Sequence, residues 1–244
     1  MLLIILLATH ENGKEKRSNL SVGLAKLTFQ LYFFIMPTSV KTYVTFAFDT
    51  LYTSLTKDAP ISLYKLRQVV EGTKEKPEIE HFPLFVTWNI LHYGRRELRG
   101  CIGNFSNLKL PDGVKQYALI AAMEDPRFDP IKVDELSKLS CSVTFLKNFE
   151  KMEDIYDWEI GKHGIRILIN GRSTATFLPD VASEQNWTKQ QTLQALVEKA
   201  GFYENYQDLD IQLTRYQGIK DTLTYKDYVS IREKAQQLEV EESN

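Results

Sequence analysis

Residues 97–105 read ELRGCIGNF and hold Cys101, one of only two cysteines in 244 residues, between Gly100 and Gly103 and two positions after Arg99. A cysteine beside arginine is the combination that lowers a thiol's pKa and makes a nucleophile. The size of the effect limits the idea. A thiol of ordinary pKa is only ~3% ionised at pH 7, and a two-unit fall needs about 2.7 kcal/mol. A solvated arginine at ~4 Å supplies only ~1 kcal/mol. Arg99 activates Cys101 only in a partly buried cleft, or with help from Arg95 or Arg96. A nucleophile also needs a base. His163, in the turn-like GKHG, is the first candidate and His92 the second. Glu184 is a candidate general acid or ligand, and Arg127 in DPRF either a site residue or a local partner of Asp125 or Asp129. Trp88, Trp158 and Trp187 read as core rather than as a stacking platform.

An extended LRGCIG alternates its side chains. Leu98, Gly100 and Ile102 then face the core, while Glu97, Arg99, Cys101 and Gly103 share the polar face. Gly100 and Gly103 suit a bulge or the close approach of a ligand. A bulge at Gly100 would instead return Cys101 to the core. Catalytic Cys101, His163 and Glu184, with Glu97, Arg99, Gly100, Gly103 and Arg127 on the substrate, is the site so expected, and Cys141 is expected to be core.

These groups need a frame. Val44, Phe48, Leu51, Tyr52 and Leu55 recur at helical spacing. The stretch from Ile61 to His81 ends in a charged loop, and Asp112–Ala122 reads as a second helix. Pro83–Leu91, Cys141–Leu146 and Ile211–Tyr216 are rich in β-branched and aromatic residues and read as strands. Asn170-Gly171 between two apolar runs is a hairpin turn. Thr188 and Gln191 form a capping box for a helix that stops at Gly201, and a last helix spans about Tyr225 to Leu238. Without regular strand–helix alternation, this order predicts an α+β fold on a mainly antiparallel sheet with flanking helices.

The chain has 43% hydrophobic residues and a net charge of −2, from 30 Lys and Arg against 32 Asp and Glu. A core of good size is available, and no general basic field exists to gather nucleic acid or anionic membrane. Neither cysteine has the spacing of a zinc site, so no metal is expected, and two free thiols suit a reducing compartment. Residues 1–35 contain two short apolar runs, the second interrupted by Lys26 and Gln30 and too short to span a bilayer. We expect translation to start at Met36 and residues 1–35 to be extraneous to one domain over 36–235, followed by an acidic tail over 236–244.

FPLFVTW (82–88), ELRGCIGNF (97–105), DPRF (125–128), CSVTFLKNFE (141–150), DWEIGKHGIRI (157–167), TATFLPDVASEQNW (174–187) and LTRYQG (213–218) together resemble the AMMECR domain family, of which LRGCIG is the signature. The resemblance runs from about Tyr43 to Tyr228. It implies larger and smaller subdomains sharing a cleft and a place in the cytoplasm and nucleus; no cofactor is expected. It also implies a functional link to Memo-type and radical-SAM proteins, which accompany prokaryotic relatives. The reaction it leaves unassigned. Three functions are therefore open: a thiol-dependent enzyme acting on a small anionic or carbonyl substrate, a non-catalytic adaptor for a protein partner, and an RNA-associated factor. The charge balance argues against the third.

Overall fold

A computed structural model describes residues 38–243 of the chain. The expected start at Met36 and the expected detachment of residues 1–35 lie outside the described residues. The first helix, α1 (Val40–Thr56), begins where Ser39 accepts the amide of Thr42 and ends at a left-handed Lys57. Its apolar stripe buries Tyr43, Val44, Ala47, Phe48 and Leu51. A short helix, α2 (Leu63–Glu71), follows between the caps Ser62 and Gly72.

Six strands then form one antiparallel sheet in the order β2-β1-β3-β6-β4-β5. They are β1 (His81–His92), β2 (Arg95–Lys109), β3 (Leu139–Met152), β4 (His163–Ile169), β5 (Ser173–Phe177) and β6 (Ile211–Thr224). Helix α3 (Asp112–Met123) joins β2 towards β3, the single-turn α4 (Pro179–Glu184) and α5 (Lys189–Lys199) follow β5, and α6 (Tyr225–Ser243) closes the chain. The fold is α+β. The turn at Asn170-Gly171 has φ of 49° and 67°, and the Thr188–Gln191 capping box is present. Helix α6 runs five residues past Leu238, because nothing between Leu238 and Ser243 breaks a helix.

Two cores lie along the sheet. The larger one packs Phe48 of α1, Trp88 of β1, Ala118 of α3, Val143 of β3 and Tyr228 of α6. The smaller packs Trp158, Ile165 and Ile167 of β4, Leu193 and Val197 of α5, and Leu213 of β6. Long β3 and β6 pass from one core to the other, which makes the larger and smaller parts continuous. Curling of the sheet brings distant strands together. Phe105 of the edge strand β2 meets Tyr216 of β6 at 5.7 Å between ring centroids, and the Arg166 guanidinium of β4 lies 5.3 Å from the Phe105 ring.

Buried charge fastens the last helix to the first. Asp49 of α1 accepts hydrogen bonds from Tyr228 and Arg232 of α6 and from the amide of Ile61. An unpaired carboxylate there would be costly, and these three donors compensate it.

Candidate functional site

Cys101 lies opposite Thr87 of β1, Thr87 opposite Ser142 of β3, and Ser142 opposite Thr222 of β6. Cross-strand partners share a face. A row of one thiol and three hydroxyls therefore crosses four strands, on the side of the sheet away from the larger core. Within it the Cys101 thiol meets the Thr87 hydroxyl at 3.2 Å, and the Ser142 and Thr222 hydroxyls meet at 2.8 Å. Ser142 is buried, whereas Thr87, Cys101 and Thr222 are half-buried.

β2 is an edge strand, so the outward N–H and C=O of Cys101 have no neighbouring strand. Two side chains take its place. The Asp125 carboxylate accepts the Cys101 amide at 2.8 Å, and the Arg127 guanidinium donates to the Cys101 carbonyl at 3.1 Å. Arg127 also grips Asp125 through Nε and Nη2, at 2.9 and 2.6 Å. The Asp125 carboxylate is buried, and the arginine holds its pKa well below the usual carboxylate range. Arg127 thus reaches Cys101 and pairs with Asp125 at once.

Two further cations approach. Lys220, two residues before Thr222 on β6, and Arg127 both act electrostatically on the Cys101 thiol. Lys199, the last residue of α5, is within electrostatic reach of Arg127 and Cys101 and hangs 4.8 Å above the Phe177 ring. Lys220 is paired with Asp180 of α4 at 2.6 Å. Among the described residues, the Lys199 ammonium donates only to the Thr176 carbonyl, at 3.0 Å. Desolvation, followed by the Arg127 charge, draws the Lys199 pKa downward. Among the described residues, two carboxylates against three cations leave one surplus positive charge beside Cys101.

Burial pushes the Cys101 thiol up, and the cations and Thr87 do not reverse this. Cys101 is accordingly a neutral thiol at pH 7. Its reaction with iodoacetamide should accelerate only above the pH range of an ordinary thiol, with Cys101→Ser as the control; ready alkylation at pH 6 would contradict this. Cys141 is fully buried in the larger core, and its thiol is likewise raised by burial.

The other expected site residues are distributed differently. His163 sits in the β4 row with Gln217, five residues along β6 from Thr222, roughly 16 Å at strand rise. Its buried ring accepts the Glu159 amide through Nδ1, and the charges around it are Arg215, Lys162, Glu159 and Glu150, none of which acts on Cys101. His92 is exposed at the hairpin tip, 3.7 Å from Glu97. Glu184 is exposed at the end of α4. The geometry therefore brings no base to the thiol.

The simple alternation expected of LRGCIG requires a correction. Trp88 pairs with Gly100 but Asn89 with Leu98, so Arg99 is a bulge. Its guanidinium turns to Glu135, at 2.7 and 3.1 Å, and to the Asp129 carbonyl. The extra residue reverses the alternation before it: Glu97 pairs with Ile90, off the Cys101 face, and Leu98 is exposed rather than core. The bulge precedes Gly100, so Cys101 stays on the polar face. Nor do the glycines leave room for a ligand. A Cβ on Gly100 would lie 2.0 Å from the Ala121 carbonyl oxygen, and one on Gly103 would lie 2.2 Å from the Phe85 ring.

Sequence reasoning passed over Thr87, Ser142, Thr222, Lys199 and Lys220. Alternation in FVTWN, CSVTF and DTLTY marks the three hydroxyls, but their alignment into a row depends on register. No sequence pattern ties Lys199 to β2. Among the described residues, no group of three or more His, Cys, Asp or Glu is arranged to hold a metal ion, and no helix is long and apolar enough to cross a membrane.

Known proteins resemble this chain. A protein of Kluyveromyces lactis named Uncharacterized protein KLLA0D02464g is 39% identical over 211 residues, covering 76% of this chain and 92% of the relative. Uncharacterized protein At2g38710 of Arabidopsis thaliana is 42% identical over 162 residues, covering 63% of this chain and 76% of the relative. Among solved structures, that of Uncharacterized Protein PH0010 from Pyrococcus horikoshii superposes with a TM-score of 0.56 at 22% identity, over 74% of this chain and 91% of that one. It shares the α+β fold. The AMMECR1 family model matches residues 44–220, a span that takes in β2, the Asp125–Arg127 clamp, Lys199 and Lys220, and on that match the chain belongs to the AMMECR1 family.

Proposed function

We propose that the chain binds a small anionic ligand in a cleft over the Cys101 row, between the larger and smaller parts. The observation that carries this reading is the convergence of Arg127, Lys199 and Lys220 on Cys101 with one positive charge in surplus. Neighbouring cations repel one another, and an anion between them relieves the repulsion while accepting hydrogen bonds. The hydroxyl row supplies neutral donors beneath. Cys101 belongs to this floor as a hydrogen-bonding group rather than as a thiolate, since burial keeps it protonated and no base adjoins it.

Lys199 is the decisive residue, because among the described residues its ammonium has a carbonyl and a ring for company but no carboxylate. Titration with sodium acetate, followed by amide NMR at constant ionic strength, should shift resonances around Cys101, Arg127 and Lys199. Lys199→Met should weaken this binding about tenfold, the loss of one charged hydrogen bond. Cys101→Ser should change it less than twofold. Shifts that avoid these residues, or an unchanged affinity in Lys199→Met, would overturn the reading.

A further inference from the structure

The cations of the site do not stand on a polar surface. Arg127 lies 5.4 Å from the ring centroid of Phe128, and Lys199 lies 4.8 Å from that of Phe177. Phe85 precedes Thr87 by two residues on the same face of β1, so its ring adjoins the thiol–hydroxyl row. Gly103, its cross-strand partner, lets that ring lie across the β2 backbone. Phe105 meets Phe85 at 5.5 Å and 76°, an edge-to-face contact that fixes the ring's tilt. Phe85, Phe128 and Phe177 are all half-buried, leaving part of each ring uncovered.

A fully hydrated dianion gains little from such walls. Phosphate prefers converging N–H donors and guanidinium forks, and the Arg127 fork is already spent on Asp125. Half-exposed phenyl rings match a flat unsaturated body, because offset and edge-to-face ring pairs add attraction beyond the area they bury.

Resting on the anion-binding reading above, we infer that the ligand class is an aromatic monocarboxylate, its carboxylate held at Lys199 within the field of the Arg127 charge and its ring placed against Phe85. Phe85 is then the residue that selects for the ring, and Lys199 the one that selects for the charge.

Benzoate, cyclohexanecarboxylate, acetate and inorganic phosphate, titrated separately into the full chain by amide NMR, test this. Benzoate should bind most tightly, about fivefold better than cyclohexanecarboxylate, which has the same charge and nearly the same size. Phe85→Leu should erase that preference and leave acetate unchanged. If Phe85→Leu fails to fold, the benzoate-to-cyclohexanecarboxylate ratio in the unaltered chain still decides. Equal binding of the two acids, or phosphate binding more tightly than benzoate, overturns the aromatic assignment while leaving the anion site in place. Failure of all four to bind overturns both.

Discussion

Replacing Gly100 with alanine is expected to destabilise the fold by about 3 kcal/mol or more. The added Cβ would lie 2.0 Å from the Ala121 carbonyl oxygen and 3.1 Å from its carbon, both backbone atoms of α3. No side chain can rotate away to relieve this. Helix α3 must move, and it is held where it is: Trp88, the cross-strand partner of Gly100, donates its indole N–H to the Ala118 carbonyl at 3.0 Å, and the indole is fully buried. Lifting the helix would break that bond and open a gap above Trp88 and Val114. Gly218→Ala is the control. Its Cβ would meet the Thr144 methyl at 3.0 Å and Pro179 at 3.5 Å, and the gain from a stiffer unfolded chain offsets part of that crowding, so the net cost is under about 1 kcal/mol. Urea denaturation midpoints read both. A smaller shift for Gly100→Ala than for Gly218→Ala would disprove the close packing of α3 on β2.

Asp125→Ala should cost about 3 kcal/mol and also displace Arg127 from the site. The substitution strands the Cys101 amide and removes the buried counter-charge from the arginine, and leaving polar partners unmatched is the expensive half of losing such a group. Asp125→Asn should fall between, since its side-chain oxygen can still accept the Cys101 amide. The same carboxylate makes stability pH-dependent. Its folded pKa lies below the unfolded value, so the unfolded chain takes up the proton first as the pH falls. The stabilisation is full above about pH 4, the unfolded carboxylate's own range, and drains away below it. Denaturation midpoints from pH 6 to pH 3 should therefore decline more steeply for the unaltered chain than for Asp125→Asn. Parallel declines would mean that Asp125 is not held ionised by Arg127.

Local signals carried most of the fold into view. The Thr188 capping box and the Asn170-Gly171 turn act within four residues, and each appears where the sequence puts it. Helix α2 went unread, although Ser62 and Gly72 bracket it, because its nine residues lead into a charged loop that obscures the periodicity. The site was harder. Alternation identified the Cys101 face correctly, yet the bulge at Arg99 depends on how β1 pairs with β2, which a single strand does not reveal. Arg99 lies within the motif and turns away, whereas Lys199 is 98 residues from Cys101 and turns towards it. Sequence proximity favoured the wrong cation. His163 drew attention because histidine commonly acts as a base, but its ring is engaged in closing the turn that begins β4.

The side-chain clamp on Cys101 has a meaning for the whole molecule as well as for the site. An open strand margin invites a second copy of the same strand to add alongside it, and repeated addition builds fibrils. Here the middle of the fifteen-residue β2 is blocked, because Asp125 and Arg127 occupy the very amide and carbonyl that a newcomer would need. The pair that shapes the ligand site is thus also a stopper against self-templated growth, and because its grip relies on an ionised carboxylate, the stopper loosens in strong acid.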